Sequence, residues 1–177
     1  MDAKKDPLEE LQNRLGLHLK SIGAFVPSSN PEVNNELVIN ELYARGYFFY
    51  ESGKYLEATD FFKVLTQMSA QNPVYWIGLG ACLQMQKKYN EALLAYTTAL
   101  IHDTTDPTTF FHAANCCFAL NHVAEGLVAV ETAENIAREK PEYKGMLPQL
   151  ALLKKTWSNE EKKENNPKTS VSEKPVA

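Results

Sequence analysis

The side chains with the most evident chemical potential are a histidine and a cysteine that stand four residues apart. His112 and Cys116 would share one face of a helix, a spacing that can bring zinc ligands together. A zinc site needs further ligands, and no second pair of histidines or cysteines follows at a suitable distance. We therefore predict no metal centre and no cofactor.

Catalytic motifs are not found elsewhere in the sequence. The other histidines are scattered, at His18, His102 and His122, and neither a glycine-rich phosphate loop nor a nucleophile within a recognisable motif is present. Cys82 and the adjacent Cys116 and Cys117 lie in apolar helical patterns, where a buried thiol acts as a small apolar side chain. The sequence favours a binding protein and not an enzyme.

An internal repeat organises the elements that would present a binding surface. Prolines recur at equal intervals, at Pro73, Pro107 and Pro141, and a period of about 34 residues is typical of helix-turn-helix solenoids. Further columns keep the same register: Gly46, Gly80 and Ala114; Ala58, Ala92 and Gly126; Phe62, Tyr96 and Val130. Small residues at facing positions let two helices approach closely. Each repeat is therefore predicted to be a helical hairpin.

Local signals place the helices of these hairpins. Asn72 and Asp106 precede their prolines as N-caps, and a proline in the first turn loses no needed hydrogen bond. Residues 52–54, Ser-Gly-Lys, are expected to form a short turn. The predicted helices cover residues 33–52, 55–70, 73–87, 89–103, 107–120 and 123–139.

The columns resemble the tetratricopeptide repeat. The second copy is nearest to that pattern, with Trp76, Leu79, Gly80, Tyr89, Ala92, Tyr96 and Ala99. Arg45 replaces the usual leucine, Val123 a tyrosine and Gly126 an alanine, so the first and third copies should pack differently. The resemblance implies an all-α fold, in which three tandem helical hairpins form a right-handed solenoid with a concave groove and carry flanking helices at both ends.

A sharper resemblance lies in four strings that occur in order: YESGKYLEA (50–58), GLGACLQMQKKY (78–89), FFHAANCCFAL (110–120) and KPEYK (140–144). Together they look like the class II chaperones of bacterial type III secretion. The resemblance implies a cytoplasmic chaperone that binds a secreted translocator, or another secretion component, and keeps it soluble and unassembled before export. A repeat scaffold that bridges two stable proteins is the alternative, because the repeat alone does not separate the two functions.

The resemblance also implies which residues bind a partner. If the first helix of each repeat lines the groove, as in the family, the groove residues are Tyr43, Tyr47 and Tyr50; Ile77, Ala81, Gln84 and Met85; Phe111, Asn115 and Phe118. Tyr43, Ile77 and Phe111 carry no positive charge, unlike the repeats that grip a C-terminal carboxylate. The set suits an extended segment with apolar or proline anchors. A tyrosine in a helical repeat can, however, also belong to the core.

The remaining segments flank the repeats. Residues 1–30 are predicted to form an amphipathic helix, over residues 6–26, and a linker; the helix could fold back on the first repeat, touch cargo or pair with a second copy in a homodimer. Residues 31–157 are predicted to form the repeat domain, with repeats at 39–72, 73–106 and 107–140 and a capping helix at 141–157 that Pro148 starts or kinks. Residues 158–177 are dense in charge and are predicted to be a disordered tail.

Composition excludes other partner classes. A net charge of -4 and the lack of a long basic run argue against nucleic acid as the main partner. No apolar stretch approaches the roughly 20 residues that span a bilayer, and the N-terminal residues do not resemble a signal peptide. We therefore expect no membrane span and a protein that stays in the cytoplasm.

Overall fold

The computed structural model describes residues 31–164, which contain helices and no strand. The helices are α1 (Pro31–Glu51), α2 (Tyr55–Met68), α3 (Pro73–Met85), α4 (Tyr89–His102), α5 (Pro107–Ala119), α6 (Val123–Glu139) and α7 (Leu147–Glu164), with a 3₁₀ helix at Pro141–Met146 before α7. The chain divides into two compact units, Met1–His102 and Asp103–Ala177. The all-α class and the predicted helical hairpins are confirmed.

Capping residues begin the first helix of the second and third repeats. The Asn72 side chain accepts a hydrogen bond of 3.0 Å from the backbone N–H of Val74, and Asp106 accepts one of 2.8 Å from that of Thr108. Each cap precedes a proline at the start of its helix. Because these bonds satisfy amides that have no partner within the helix, the prolines cost little there. Both predicted N-caps are confirmed.

The first helix of each hairpin ends with a residue of positive φ. These residues are Gly53, Lys87 and Asn121, with φ of 73°, 60° and 61°, and they recur with the period of the repeat. After α3, the N–H of Lys87 donates to the Gln84 carbonyl and that of Lys88 to the Leu83 carbonyl, each at 2.9 Å. This is the Schellman pattern, which terminates a helix and turns the chain toward the next one.

Small residues set the helix contacts of the first unit, as predicted. A Cβ added at Gly46 of α1 would lie 3.2 Å from Phe61 Cβ, and one added at Gly80 of α3 would lie 2.8 Å from Tyr96 Cε1. Ala58 of α2 and Ala92 of α4 are fully buried. Larger side chains at these positions would separate the helices, and so the small columns account for the close packing of each hairpin.

The second unit packs α5, α6 and α7 around a separate apolar cluster. Its buried members are Ala114, Phe118, Val130, Ala133, Ala137 and Leu150. Leu150 extends this core from α7, which packs chiefly against α6. Lys140 Nζ donates a 2.7 Å hydrogen bond to the Thr105 carbonyl and ties the end of the hairpin to its start.

The C-terminal boundary predicted at residue 158 is wrong for the residues that follow it directly. The 3₁₀ helix Pro141–Met146 and then α7 form the predicted cap, with Pro148 in the first turn, but α7 continues to Glu164. Glu and Lys in the stretch SNEEKKE are good helix formers, and this propensity extends the helix in spite of the high charge density. The predicted N-terminal helix at 6–26 and the rest of the predicted tail lie outside the described residues. No helix within residues 31–164 is long and apolar enough to cross a membrane.

Candidate functional site

An apolar pocket lies between α1 and α3 in the first unit. Its volume is about 190 Å³, and it is lined by Tyr43, Tyr47, Tyr50, Phe62, Val74, Ile77, Gly78 and Ala81. The pocket therefore brings together the three tyrosines of the first repeat and two residues of the second repeat that the sequence assigned to partner binding. Successive residues in this set lie three to four positions apart along each helix, which places them on one face.

Phe62 and Gly78 shape the inner wall of the pocket. The Phe62 side chain is 3% exposed, and a Cβ added at Gly78 would lie only 2.2 Å from its ring. The same ring lies 3.2 Å from the Cβ position of Gly46, so it is held between a glycine of α1 and a glycine of α3. Tyr43 packs its ring edge-on to Phe62 at a centroid distance of 6.1 Å and an angle of 85°.

The lining carries no formal charge near neutral pH. Its side-chain polar groups are the hydroxyls of Tyr43, Tyr47 and Tyr50. Burial, with smaller contributions from Cys82 and Tyr55, raises the pKa of Tyr50 above its ordinary value of 10.0, so this hydroxyl stays protonated. Tyr47 is 53% exposed at the opening. The pocket therefore offers apolar contact and a few hydrogen-bonding hydroxyls.

Two further predicted residues of the second repeat lie outside the pocket lining. The Gln84 Oε1 accepts a 2.8 Å hydrogen bond from the hydroxyl of Tyr96, a fully buried tyrosine of α4. Gln84 thus satisfies a core hydroxyl, whatever its role toward a partner. Met85 is 49% exposed at the end of α3.

The predicted residues of the third repeat lie in the second unit, and one of them is covered. Phe111 and Asn115 are half-buried. The Asn115 side-chain amide donates a 2.9 Å hydrogen bond to the backbone carbonyl of Phe111 in the same helix. Phe118 is 5% exposed and stacks on Trp157 of α7, with a centroid distance of 3.9 Å and an angle of 9°. The prediction that Phe118 faces an open groove is therefore wrong for this structure, because the indole occupies that space.

Sequence reasoning missed three lining residues: Phe62, Val74 and Gly78. Phe62 belongs to the interhelical packing column of the repeat, and its ring also lines the pocket. Gly78 gave a usable signal, because a glycine inside a helix costs about 1 kcal/mol relative to alanine and therefore usually has a packing reason.

The residues first considered for chemistry lie in environments that oppose it. Burial raises the pKa values of Cys82 and Cys116 to about 12 and raises that of Cys117, so these thiols stay protonated near neutral pH. Burial also lowers the pKa of His112 below 6.5, against the opposing effect of Asp106. A thiolate, which both nucleophilic attack and zinc ligation require, is disfavoured at each cysteine.

Comparison with protein families matches the tetratricopeptide repeat at residues 39–72 and subunit 3 of the anaphase-promoting complex at residues 63–133. Low calcium response locus protein H of Yersinia pseudotuberculosis is 28% identical over 153 residues, which span 86% of this chain and 89% of that protein. The helical hairpins are therefore tetratricopeptide-like, and residues 39–72 match the repeat itself.

Solved structures narrow the class. PcrH of Pseudomonas aeruginosa, in complex with the chaperone binding region of PopD, superposes with a TM-score of 0.69 at 26% sequence identity. The match covers 71% of this chain and 95% of the PcrH chain. The type III secretion chaperone SycD of Yersinia enterocolitica, in complex with a peptide of the translocator YopD, gives a TM-score of 0.67 at 27% identity and covers 70% and 95%. The chain is a homologue of the type III secretion translocator chaperones, and the resemblance stated from its sequence is confirmed.

Proposed function

We propose that this chain is a bacterial type III secretion chaperone, which binds an extended apolar segment of a secreted translocator and keeps that client soluble and unassembled in the cytoplasm before export. The observation that carries the proposal is the uncharged pocket between α1 and α3, lined by residues of two repeats. Homologues in complex with the chaperone binding region of PopD and with a YopD peptide support it.

The size of the pocket favours a side chain over a small-molecule ligand. At about 190 Å³ it is smaller than the ~300–1,000 Å³ of sites for cofactors and drug-sized molecules. Burying one aliphatic side chain there would contribute roughly 1.5–3 kcal/mol. The neutral tyrosine hydroxyls can satisfy backbone groups of an extended segment, which would otherwise be desolvated without partners.

The pocket also supports a function without catalysis. Apart from the tyrosine hydroxyls its lining is apolar, and it offers no carboxylate, imidazole or thiol to a bound molecule. We infer that the chain holds its client and does not modify it chemically.

The test is co-expression with the secreted translocators of the native host. Chaperone function predicts that a client is insoluble or degraded alone and soluble with this chain. Tyr47→Ala should weaken client binding by about tenfold, the equivalent of roughly 1.4 kcal/mol. Phe48→Ala is the matched control, because Phe48 is the adjacent aromatic, 63% exposed, and does not line the pocket.

Two results would contradict the proposal in different ways. Equal binding by wild type and Tyr47→Ala, with native circular dichroism, would remove the pocket from the binding site. A partner that is stable and soluble alone, captured by this chain without change in solubility, would favour the alternative of a repeat scaffold, a role consistent with the match to a subunit of a multiprotein complex.

A further inference from the structure

The contact between Phe118 and Trp157 lies at a repeat position that faces the pocket in the first repeat. Phe118 follows Gln84 by one repeat period and Tyr50 by two, so the three residues are equivalent in the repeat. Tyr50 lines the pocket of the first unit. Phe118 instead has its ring covered by the indole of Trp157, with parallel ring planes. In the third repeat, the indole of Trp157 therefore covers the position that the first repeat uses to line its pocket.

Gly126 is the residue that seats Phe118 in this arrangement. A Cβ added at Gly126 would lie 2.3 Å from Phe118 Cε1, which no packed structure tolerates. The equivalent residues of the other repeats are Ala58 and Ala92. The lack of a side chain at Gly126 lets the Phe118 ring approach α6 closely, in the position where it stacks on Trp157.

The attachment of Trp157 differs from that of the rest of α7. The first part of α7 is anchored by Leu150, which is fully buried. Lys154 pairs with Glu131 and Glu134 at 3.3 and 3.4 Å, but all three are partly exposed, and such pairs contribute little. Within residues 155–164 Trp157 is the only apolar residue. The terminal turns of α7 can therefore open locally while Leu150 stays in the core.

We propose that Trp157 is an internal ligand of the third repeat, which an apolar or aromatic side chain of a bound translocator segment must displace from Phe118. The proposal rests on the proposed function. In the free chain α7 covers this subsite, and only the fraction with the indole released can bind a segment there. The apparent affinity for the segment is the intrinsic affinity multiplied by this open fraction. Removing the indole should therefore raise the apparent affinity.

The affinity test uses a synthetic peptide of the PopD chaperone binding region and the full chain. If about one tenth of molecules are open, Trp157→Ala should bind this peptide roughly tenfold more tightly than wild type. Leu152→Ala is the matched control on the same helix, because Leu152 is 66% exposed, and its affinity should not change. Trp157→Phe keeps a smaller ring on Phe118 and should lie between wild type and Trp157→Ala.

A spectroscopic measurement follows the displacement directly. The chain has two tryptophans, and Trp76→Phe leaves Trp157 as the only one, which can be excited selectively at the red edge of the indole absorption. Saturating peptide should shift its emission to longer wavelength and increase acrylamide quenching, because the indole moves from the Phe118 ring into water. This measurement also decides the question if Trp157→Ala fails to fold.

The possible failures are distinguishable. Unchanged or weaker peptide binding by a folded Trp157→Ala variant, or unchanged Trp157 emission at saturation, overturns the internal-ligand role and leaves the proposed function standing. If neither the wild type nor any variant binds the peptide, the result counts against the proposed function, and the internal-ligand role fails with it.

Discussion

Replacing Gly78 with alanine tests the most constrained contact of the pocket. The new Cβ would lie 2.2 Å from the Phe62 ring, whereas ordinary contact begins at 3.4 Å, so the ring must move by more than an ångström. The backbone of Gly46 in α1 also lies close to this ring, since a Cβ built there would be 3.2 Å from it, and it limits movement in that direction. The remaining space is the pocket itself.

Two opposing terms set the magnitude of this effect. Overpacking a well-packed core costs roughly 1–3 kcal/mol, and a clash this close falls in the upper half of that range. Alanine regains up to about 1 kcal/mol over glycine in a helix. The expected net loss is about 1–2 kcal/mol, or a fall in Tm of roughly 2–8 °C for a chain of this size. Client affinity should fall together with stability, because the displaced ring fills the pocket.

Thermal and urea unfolding, followed by circular dichroism, measure the stability, and fluorescence anisotropy with a labelled client segment measures the affinity. Gly145→Ala is the control for the same chemical change, since a Cβ there meets nothing within 4 Å. If Gly78→Ala is as stable as wild type and binds the segment equally well, the ring is not held between the two glycines and the described pocket wall is wrong.

Three further predictions follow from single residues. Iodoacetamide at about pH 8 should leave Cys82, Cys116 and Cys117 unmodified in the folded chain, because they are buried and their thiols are protonated, and should modify all three after unfolding. Lys87→Gly should raise the free energy of unfolding by about 0.5–1 kcal/mol in urea titrations, since φ there is +60°. The pKa of His112 is lowered in the folded chain, so below pH 6.5 the unfolded chain binds a proton that the folded chain does not bind as readily. The free energy of unfolding should therefore fall as the pH drops below 6.5. His112→Asn should flatten this dependence.

Each of these predictions has a clear contrary result. Rapid labelling of Cys116 in the native chain would contradict its burial. A destabilised Lys87→Gly variant would mean that the lysine side chain makes a stabilising interaction that outweighs its backbone strain. Equal pH dependence in wild type and His112→Asn would assign the titration to another group.

Much of the local architecture was predictable because its causes lie near each other in the chain. Asn72 and Asp106 accept hydrogen bonds from backbone amides two residues away. The regular spacing of Pro73, Pro107 and Pro141 indicates that the same helical hairpin recurs. The same periodicity placed three tyrosines of α1 on one face, and these now line one pocket with Ile77 and Ala81. Side-chain direction in a helix depends on register alone, so spacing sufficed.

The sequence by itself determined the helical hairpins, their caps and the apolar face of the first two repeats, because these follow from register and from bonds over a few residues. Only the tertiary structure decided that Phe62 forms a wall of the pocket, since this requires the separation of α1 and α3. It also decided that Trp157 covers Phe118. These residues are 39 positions apart and share no repeat register, so their contact depends on how α7 packs back on its own unit.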